Sequence, residues 1–386
     1  LPPSPRRPKG SQGPQPGQPT LDSVDRAFAK EEACLQRQNG ETVQSKSCPM
    51  LGCPTDEEFG SIESRKSQNV VLVTGASGFI GTELVKQLEA AGNRVICTSR
   101  EPPGGGTPYV RLPSPDEPLS AFESILENVH HVVHLAAIHH AKRAVSAEEY
   151  YAANCLLTGK LAAAAHKKIT GKFVFTSSIR AQCGSVFDGV LREGDPPQPT
   201  DDYGRTKLAA EAEIAAAMPR QNYTILRPVL VYGPNATGNL AKLMKLAAWP
   251  IPLPLKSLPG KRSLLDLGAL CVAIFHSLEE SKTDGEVFIV SDNVPLTIGE
   301  MVAAMRRGMG HPPRLFSVPE AFLNTAAKMS GQTDRKQRLY QNLVASSAKL
   351  QSTGWKAIDD TTRRIEDLST TITSAHMTAF LLQNTR

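Results

Sequence analysis

Long apolar runs are missing from this 386-residue chain: no stretch of 18 or more apolar residues is free of charge or proline, so no membrane-spanning helix is expected. A basic arm is missing too. Lys and Arg outnumber Asp and Glu by only 43 to 38, and the first 66 residues carry nine of each sign, which disfavours nucleic acid as the main partner. The seven cysteines (34, 48, 53, 97, 155, 183 and 271) are scattered and odd in number. Cys48 and Cys53 have no second pair at metal-ligand spacing, and the thiols read as unpaired groups of a reducing, cytoplasmic compartment. The adjacent His139 and His140 point apart on any regular element and have no acid or cysteine to complete a set, so no metal site is expected. The head shows no continuous apolar core ahead of a small-residue cleavage site, so no secretory signal is read. It also carries acids, which a transit peptide avoids, and it opens on Leu, as a fragment would.

What is present is ordinary for a soluble globular protein, 40% apolar and 21% charged, and long enough for one large domain or two smaller ones. Residues 1–66, rich in Pro, Gly and Gln at first, read as a disordered or extraneous head with one short helix around 25–38. From Asn69 the pattern changes. VVLVTG (70–75) is the apolar, β-branched run of a strand buried on both faces. RVICTSR (94–100), HHVVHLAA (130–137), KFVFTSS (172–178) and YTILRPVLVYG (223–233) follow, with helical segments at 81–91, 146–166 and 203–217. Strands alternating with helices at this spacing predict an α/β fold with a parallel sheet covered on both faces. After Pro234 the pattern loosens. WPIPLPLKSLPG (249–260) holds four prolines and is neither a central strand nor a helix. EVFIVSD (286–292) and helices near 297–308 and 318–330 predict a smaller lobe. The expected map is therefore a unit over 67–370, its lobe mainly 234–370, and a tail at 371–386 without a usable motif.

Gly75, Gly78 and Gly81 recur every third residue directly after a strand and at the opening of a helix. The first permits a tight turn, the second lets a pyrophosphate approach the backbone, and the third lets helix pack on strand. The helix N-terminus adds free N–H groups for phosphates. The pattern predicts a bound dinucleotide, NAD or NADP. At the end of the second strand an acid would select NAD and an arginine NADP. Ser99 is followed by Arg100, which favours NADP; Glu101 keeps NAD open, and Arg100 reads equally well as a solvated surface charge.

Tyr203 and Lys207 stand four apart in DDYGRTKLAAE, on one helix face. A neighbouring ammonium favours the phenolate, which would let Tyr203 take a proton from a substrate hydroxyl. Ser177 and Ser178 end a strand, where a hydroxyl steadies charge on the reacting oxygen; the plainer readings are a helix cap and, for the Tyr–Lys pair, a solvent-facing helix.

TGASGFIG (74–81), HLAA (134–137), Asn154, FTSS (175–178), YGRTK (203–207) and LRPVLVYGP (226–234) occur in this order. Over about residues 69–370 the chain resembles the extended short-chain dehydrogenase/reductase family, in its nucleotide-sugar epimerase/dehydratase branch. The resemblance implies a Rossmann-type doubly wound parallel sheet with a smaller C-terminal lobe for a UDP-sugar or related nucleotide sugar. It implies Ser178, Tyr203 and Lys207 as the catalytic set, with Asn154 supporting Lys207 through water. Cofactor contacts would come from Gly75, Ser77, Gly78, Phe79, Ile80, Gly81, Arg100, Leu135, Ala136, Ala137, Tyr203, Lys207 and Pro228. Asn239, Arg262 and Arg338 would meet the sugar nucleotide. The implied reaction is UDP-hexose 4-epimerisation through transient oxidation at C4, in a chain that would pair as a homodimer. An NADPH-dependent 4-keto-sugar reductase or dehydrogenase, and a catalytically silent dinucleotide-binding scaffold, are the alternatives. Two departures stand out: Asp266 lies two positions early in its segment, with Gly268 in the expected acid's place, and AQCG (181–184) replaces a Tyr-Gly turn, which would face Gln182 and Cys183 toward the sugar.

Overall fold

The computed structural model describes residues 69–98, 108–138, 145–236, 238–249, 251–319 and 340–384. The predicted head, Ser99, Arg100, His139, His140, Arg338 and most of the helix expected near 318–330 lie outside them. The chain runs β1 (Val70–Thr74), α1 (Phe79–Ala90), β2 (Arg94–Thr98), β3 (Tyr109–Val110), α2 (Leu119–Ser124) and β4 (His131–His134). A helical run follows, α3 (Ala147–Tyr151) passing through a π-helical turn (Ala152–Leu156) into α4 (Leu157–Lys168). Next come β5 (Phe173–Thr176), β6 (Val190–Leu191), α5 (Asp202–Ala217), β7 (Tyr223–Pro228) and β8 (Leu230–Tyr232). The remainder is α6 (Asn239–Ala248), β9 (Lys261–Arg262), β10 (Leu264–Asp266), α7 (Leu267–Glu279), β11 (Glu286–Val290), β12 (Leu296–Thr297), α8 (Ile298–Gly308), β13 (Val344–Ala345), α9 (Ala348–Gln351) and α10 (Thr361–Asn384).

Seven strands form one sheet in the order β11-β7-β5-β4-β1-β2-β3, every neighbouring pair parallel. Their β-branched and aromatic side chains supply both apolar layers. Val71, Val73, Val133 and Val174 pack with α1 and α7, while Leu72, Val132, Phe173 and Phe175 pack with α2, α4 and α5. The expected α/β, Rossmann-type doubly wound sheet is thus present. The chain leaves β1 toward β2 and returns to β4 on the other side, which opens a crevice at the carboxyl ends of β1 and β4, where ligands of such sheets bind.

Three elements differ from expectation. EVFIVSD is an edge strand of the main sheet, β11 on β7, rather than part of a separate lobe; the long irregular stretch before it hid its membership. YTILRPVLVYG is two strands, because Pro228 has no N–H with which to continue the ladder. β7 stays in the main sheet and β8 leaves it to pair with β10. Finally, α10 runs unbroken through the tail boundary expected at 371. The C-terminal region has its own apolar cluster, including Tyr232, Leu240, Leu253, Leu264, Met301, Met305 and Ile365. The proline-rich stretch beside it is held by buried Arg306, whose guanidinium donates to the carbonyls of Ala247, Trp249, Ile251 and Pro313.

Candidate active site

The glycine loop closes on the end of β4. Gly75 has φ +69°, and a Cβ there would lie 2.9 Å from Ala136 N. A Cβ on Gly81 would overlap Gly75 O and stand 2.7 Å from Ala76 Cα, so helix and loop pack only with glycine. A Cβ on Gly78 would meet nothing but Gly75 O within 4 Å, at 3.2 Å. Ser77 and Gly78 are exposed and Phe79 and Ile80 half-buried, leaving room over the N-terminus of α1. That open cradle fits the pyrophosphate of NAD(P). Leu135 and Ala136 are stitched beside it, their N–H groups each 3.2 Å from Thr74 Oγ1. Thr74 in turn bonds His134 Nδ1 at 2.6 Å, and His134 Nε2 meets Thr158 Oγ1 at 2.9 Å. Thr158 donates to Asn154 O, so His134 carries its proton on Nε2. Burial holds its pKa down to about 3. Ala137 is exposed, and Pro228, buried, ends β7 on the same sheet edge.

Ser178 follows β5 and Tyr203 opens α5, the helix capped by Asp201. The Ser178 hydroxyl bonds the Tyr203 phenol, yet burial pushes the phenol up to about 12. Lys207 Nζ is buried and donates to Thr176 O at 2.8 Å, 4.4 Å from the centre of the Phe175 ring. Burial drives its pKa down to about 7, against the pull of the Glu211 carboxylate. The expected ammonium-made phenolate is therefore not the dominant effect: desolvation is the largest influence on both groups. Asn154 is engaged directly, exchanging hydrogen bonds with the Ile138 backbone (2.8 and 3.0 Å) and donating to Thr206 Oγ1 at 3.2 Å. It thus steadies the residue beside Lys207.

Glu211 and Arg227, which the sequence reading left out, form the support beneath this set together with Ser177 and Gln182. Glu211 accepts from Ser177 Oγ at 2.5 Å and from Arg227 Nε and Nη2 at 3.0 and 2.5 Å. Arg227 also donates to Gln182 Oε1 at 3.0 Å, and Gln182 Nε2 donates to the carbonyls of Arg192 and Asp195. Gln182 borders a cleft of about 580 Å³ together with Arg180, Cys183, Phe187, Thr200 and Asp201. Its amide is occupied inward rather than offered to a sugar. Cys183 lines the same cleft, with burial raising its thiol to about 11, so it is no nucleophile at neutral pH. Arg262 reaches the cleft's rim, donating to Ser185 O at 2.6 Å. Asn239 is exposed at the start of α6. Asp266 serves as the N-cap of α7, accepting from Ala269 N at 3.0 Å.

The cradle and the Ser–Tyr–Lys set share one sheet edge, the arrangement of a dinucleotide-dependent enzyme of the Rossmann class. The model of the NAD dependent epimerase/dehydratase family matches residues 71–290, and the chain belongs to that family. A UDP-glucose 4-epimerase from Vibrio cholerae is 31% identical over 301 residues, 76% of this chain and 92% of that protein. A ceramide reductase from Caulobacter vibrioides is 26% identical over 278 residues, 68% of this chain and 78% of its own length. Among solved structures, MoeE5 in complex with UDP-glucose and NAD is similar in fold, with a TM-score of 0.60 and 24% identity over 78% of this chain and 97% of that one. Among the described residues no helix is long and apolar enough to cross a membrane.

Proposed function

We propose that the chain is a nucleotide-sugar 4-epimerase acting on a UDP-hexose. The observation that carries this reading is the hydrogen-bonded Ser178–Tyr203 pair beside Lys207, at the edge that bears the glycine cradle. Gly75, Gly78, Gly81, Ala136 and Lys207 would hold NAD(P), which supplies a hydride acceptor and, on the return, a hydride donor. Tyr203 Oη carries the proton that leaves the sugar's 4-hydroxyl and gives it back to the same oxygen. Ser178 Oγ orients that oxygen and shares its developing charge. Substrate and product are isomers, so no electrons are gained or lost over a turnover.

Several finer points belong to the same proposal. Arg262, Asn239 and Arg338 would meet the diphosphate, where charge-assisted contacts are strong. Arg100 leans toward NADP. The same lean favours a second reading, an NADPH-consuming 4-keto-sugar reductase. The four described cysteines, Cys97, Cys155, Cys183 and Cys271, are buried free thiols, which suits a reducing cytoplasm. We take 67–370 with the rest of α10 as the catalytic unit, the head 1–66 as dispensable for turnover, and a homodimer as the working assembly.

The test is to purify the chain, extract its cofactor after gel filtration, and incubate it with UDP-glucose. Retained NAD(H) and formation of UDP-galactose support the epimerase. An empty site that consumes NADPH with a 4-ketose supports the reductase. Tyr203→Phe should lower kcat by ~10²–10⁴, the range of a lost general acid–base group, and unchanged turnover would refute the mechanism.

A further inference from the structure

Arg180, two residues after Ser178, is fixed at four points around Tyr203. Its backbone N–H donates to Ser178 Oγ at 3.2 Å, which leaves the serine proton for the phenol. Its carbonyl lies where a Cβ on Gly204 would be, so the glycine after Tyr203 allows the two segments to touch. Its guanidinium donates to Asp201 Oδ2 at 2.5 Å and to Thr200 Oγ1 at 3.4 Å. Asp201 uses its other oxygen to cap α5, accepting from Gly204 N at 2.8 Å. A cation and an anion, bonded to each other, are thus held within electrostatic reach of one phenol, and both line the cleft.

From this cluster we propose that Arg180 and Asp201 are positioning residues that set, in opposite directions, the pH at which Tyr203 ionises. The proposal rests on Tyr203 being the proton carrier of the reaction proposed above. The guanidinium favours the phenolate and the carboxylate opposes it. The other titratable groups nearby do not replace them. Tyr150, from α3, acts on the phenol in the same sense as Asp201. Lys207, one turn along α5, directs Nζ to Thr176 O. Asp202 and Arg205, on the exposed side of α5, pair with each other at 2.6 Å. The Arg180 and Asp201 side chains are 22% and 44% exposed. A sugar nucleotide filling the cleft would strip water from the pair and strengthen its field on the phenol.

The test reads the phenol itself and needs no substrate. Tyrosinate absorbance is recorded after a rapid jump to a fixed alkaline pH below the wild-type midpoint. Each protein is measured against its own Tyr203→Phe counterpart, which isolates the one phenol. Asp201→Asn keeps an acceptor for the helix cap and should raise the ionised fraction roughly threefold, the equivalent of about half a pH unit. Arg180→Gln should lower it by a similar factor, and Arg180→Lys should restore it toward wild type. Shifts in the same direction for Asp201→Asn and Arg180→Gln, or no shift in either, overturn the proposal. Opposite shifts in a protein that fails to epimerise UDP-glucose uphold it and remove the functional reading instead. Epimerisation with an unmoved phenol removes this proposal alone.

Discussion

Two buried polar clusters in this molecule handle the same difficulty in different ways. Under the active site the Glu211 carboxylate is met by the Arg227 guanidinium in a two-point contact, and Ser177 and Gln182 take up further bonding capacity. In the C-terminal region the Asp292 carboxyl is met by neutral groups: Tyr232 Oη at 2.9 Å, Thr361 Oγ1 at 3.2 Å and the Asp266 N–H at 3.1 Å. Burial raises Asp292 to about 7, so that carboxyl reduces its burial cost by keeping a proton. One cluster answers buried charge with opposite charge, and the other with protonation. The first suits a support that must stay rigid beneath the proposed proton carrier, while the second makes the stability of the C-terminal region depend on pH.

The largest effect should come from unbalancing the first cluster. Glu211→Gln leaves the Arg227 guanidinium buried without its counter-charge and should destabilise the protein by about 3–5 kcal/mol, measured by chemical denaturation. A cost below 1 kcal/mol would mean that the pair is more hydrated than the structure allows. The next effect lies in the second cluster and depends on pH. Because the folded pKa of Asp292 lies above its unfolded value, its contribution is fully present below about pH 4 and is lost as pH rises through about 7. Asp292→Asn should therefore gain on the wild type by about 1–3 kcal/mol between those limits, seen as a pH-dependent difference in denaturation midpoint. A flat difference would show that Asp292 is charged in the folded protein. The smallest effect is expected for Ser177→Ala, which deletes one neutral donor to a carboxylate that keeps its guanidinium. About 1 kcal/mol is expected, with no dependence on pH.

The cofactor cradle was legible in the sequence because it depends on the backbone, and only glycine tolerates the contacts made at positions 75 and 81. Tyr203 and Lys207 were legible through helical spacing. Continuing that spacing by four residues reaches Glu211, so one signal for the support was present. Its partner Arg227 was not legible, since it arrives from β7, a strand that joins the sheet two places from β4. The sugar-facing role given to Gln182 failed because local sequence cannot tell an amide turned outward from one folded back onto a buried guanidinium. In the C-terminal region Trp249 and Ile251, at the start of the proline-rich stretch, are bonded by Arg306, tens of residues away, and no local periodicity encodes such a contact. The raised phenol at Tyr203 was hidden for a related reason: spacing shows which charges are neighbours but not how much water reaches them.

The proposed reaction has one phenol carry a proton on and off the 4-oxygen while the sugar's own C4 hydrogen leaves and returns. It is tested most directly by giving the purified chain UDP-glucose deuterated at C4, in ordinary water, and following both hexoses by NMR. UDP-galactose should form and retain deuterium at C4. UDP-galactose with hydrogen at C4, or no UDP-galactose at all, would contradict it.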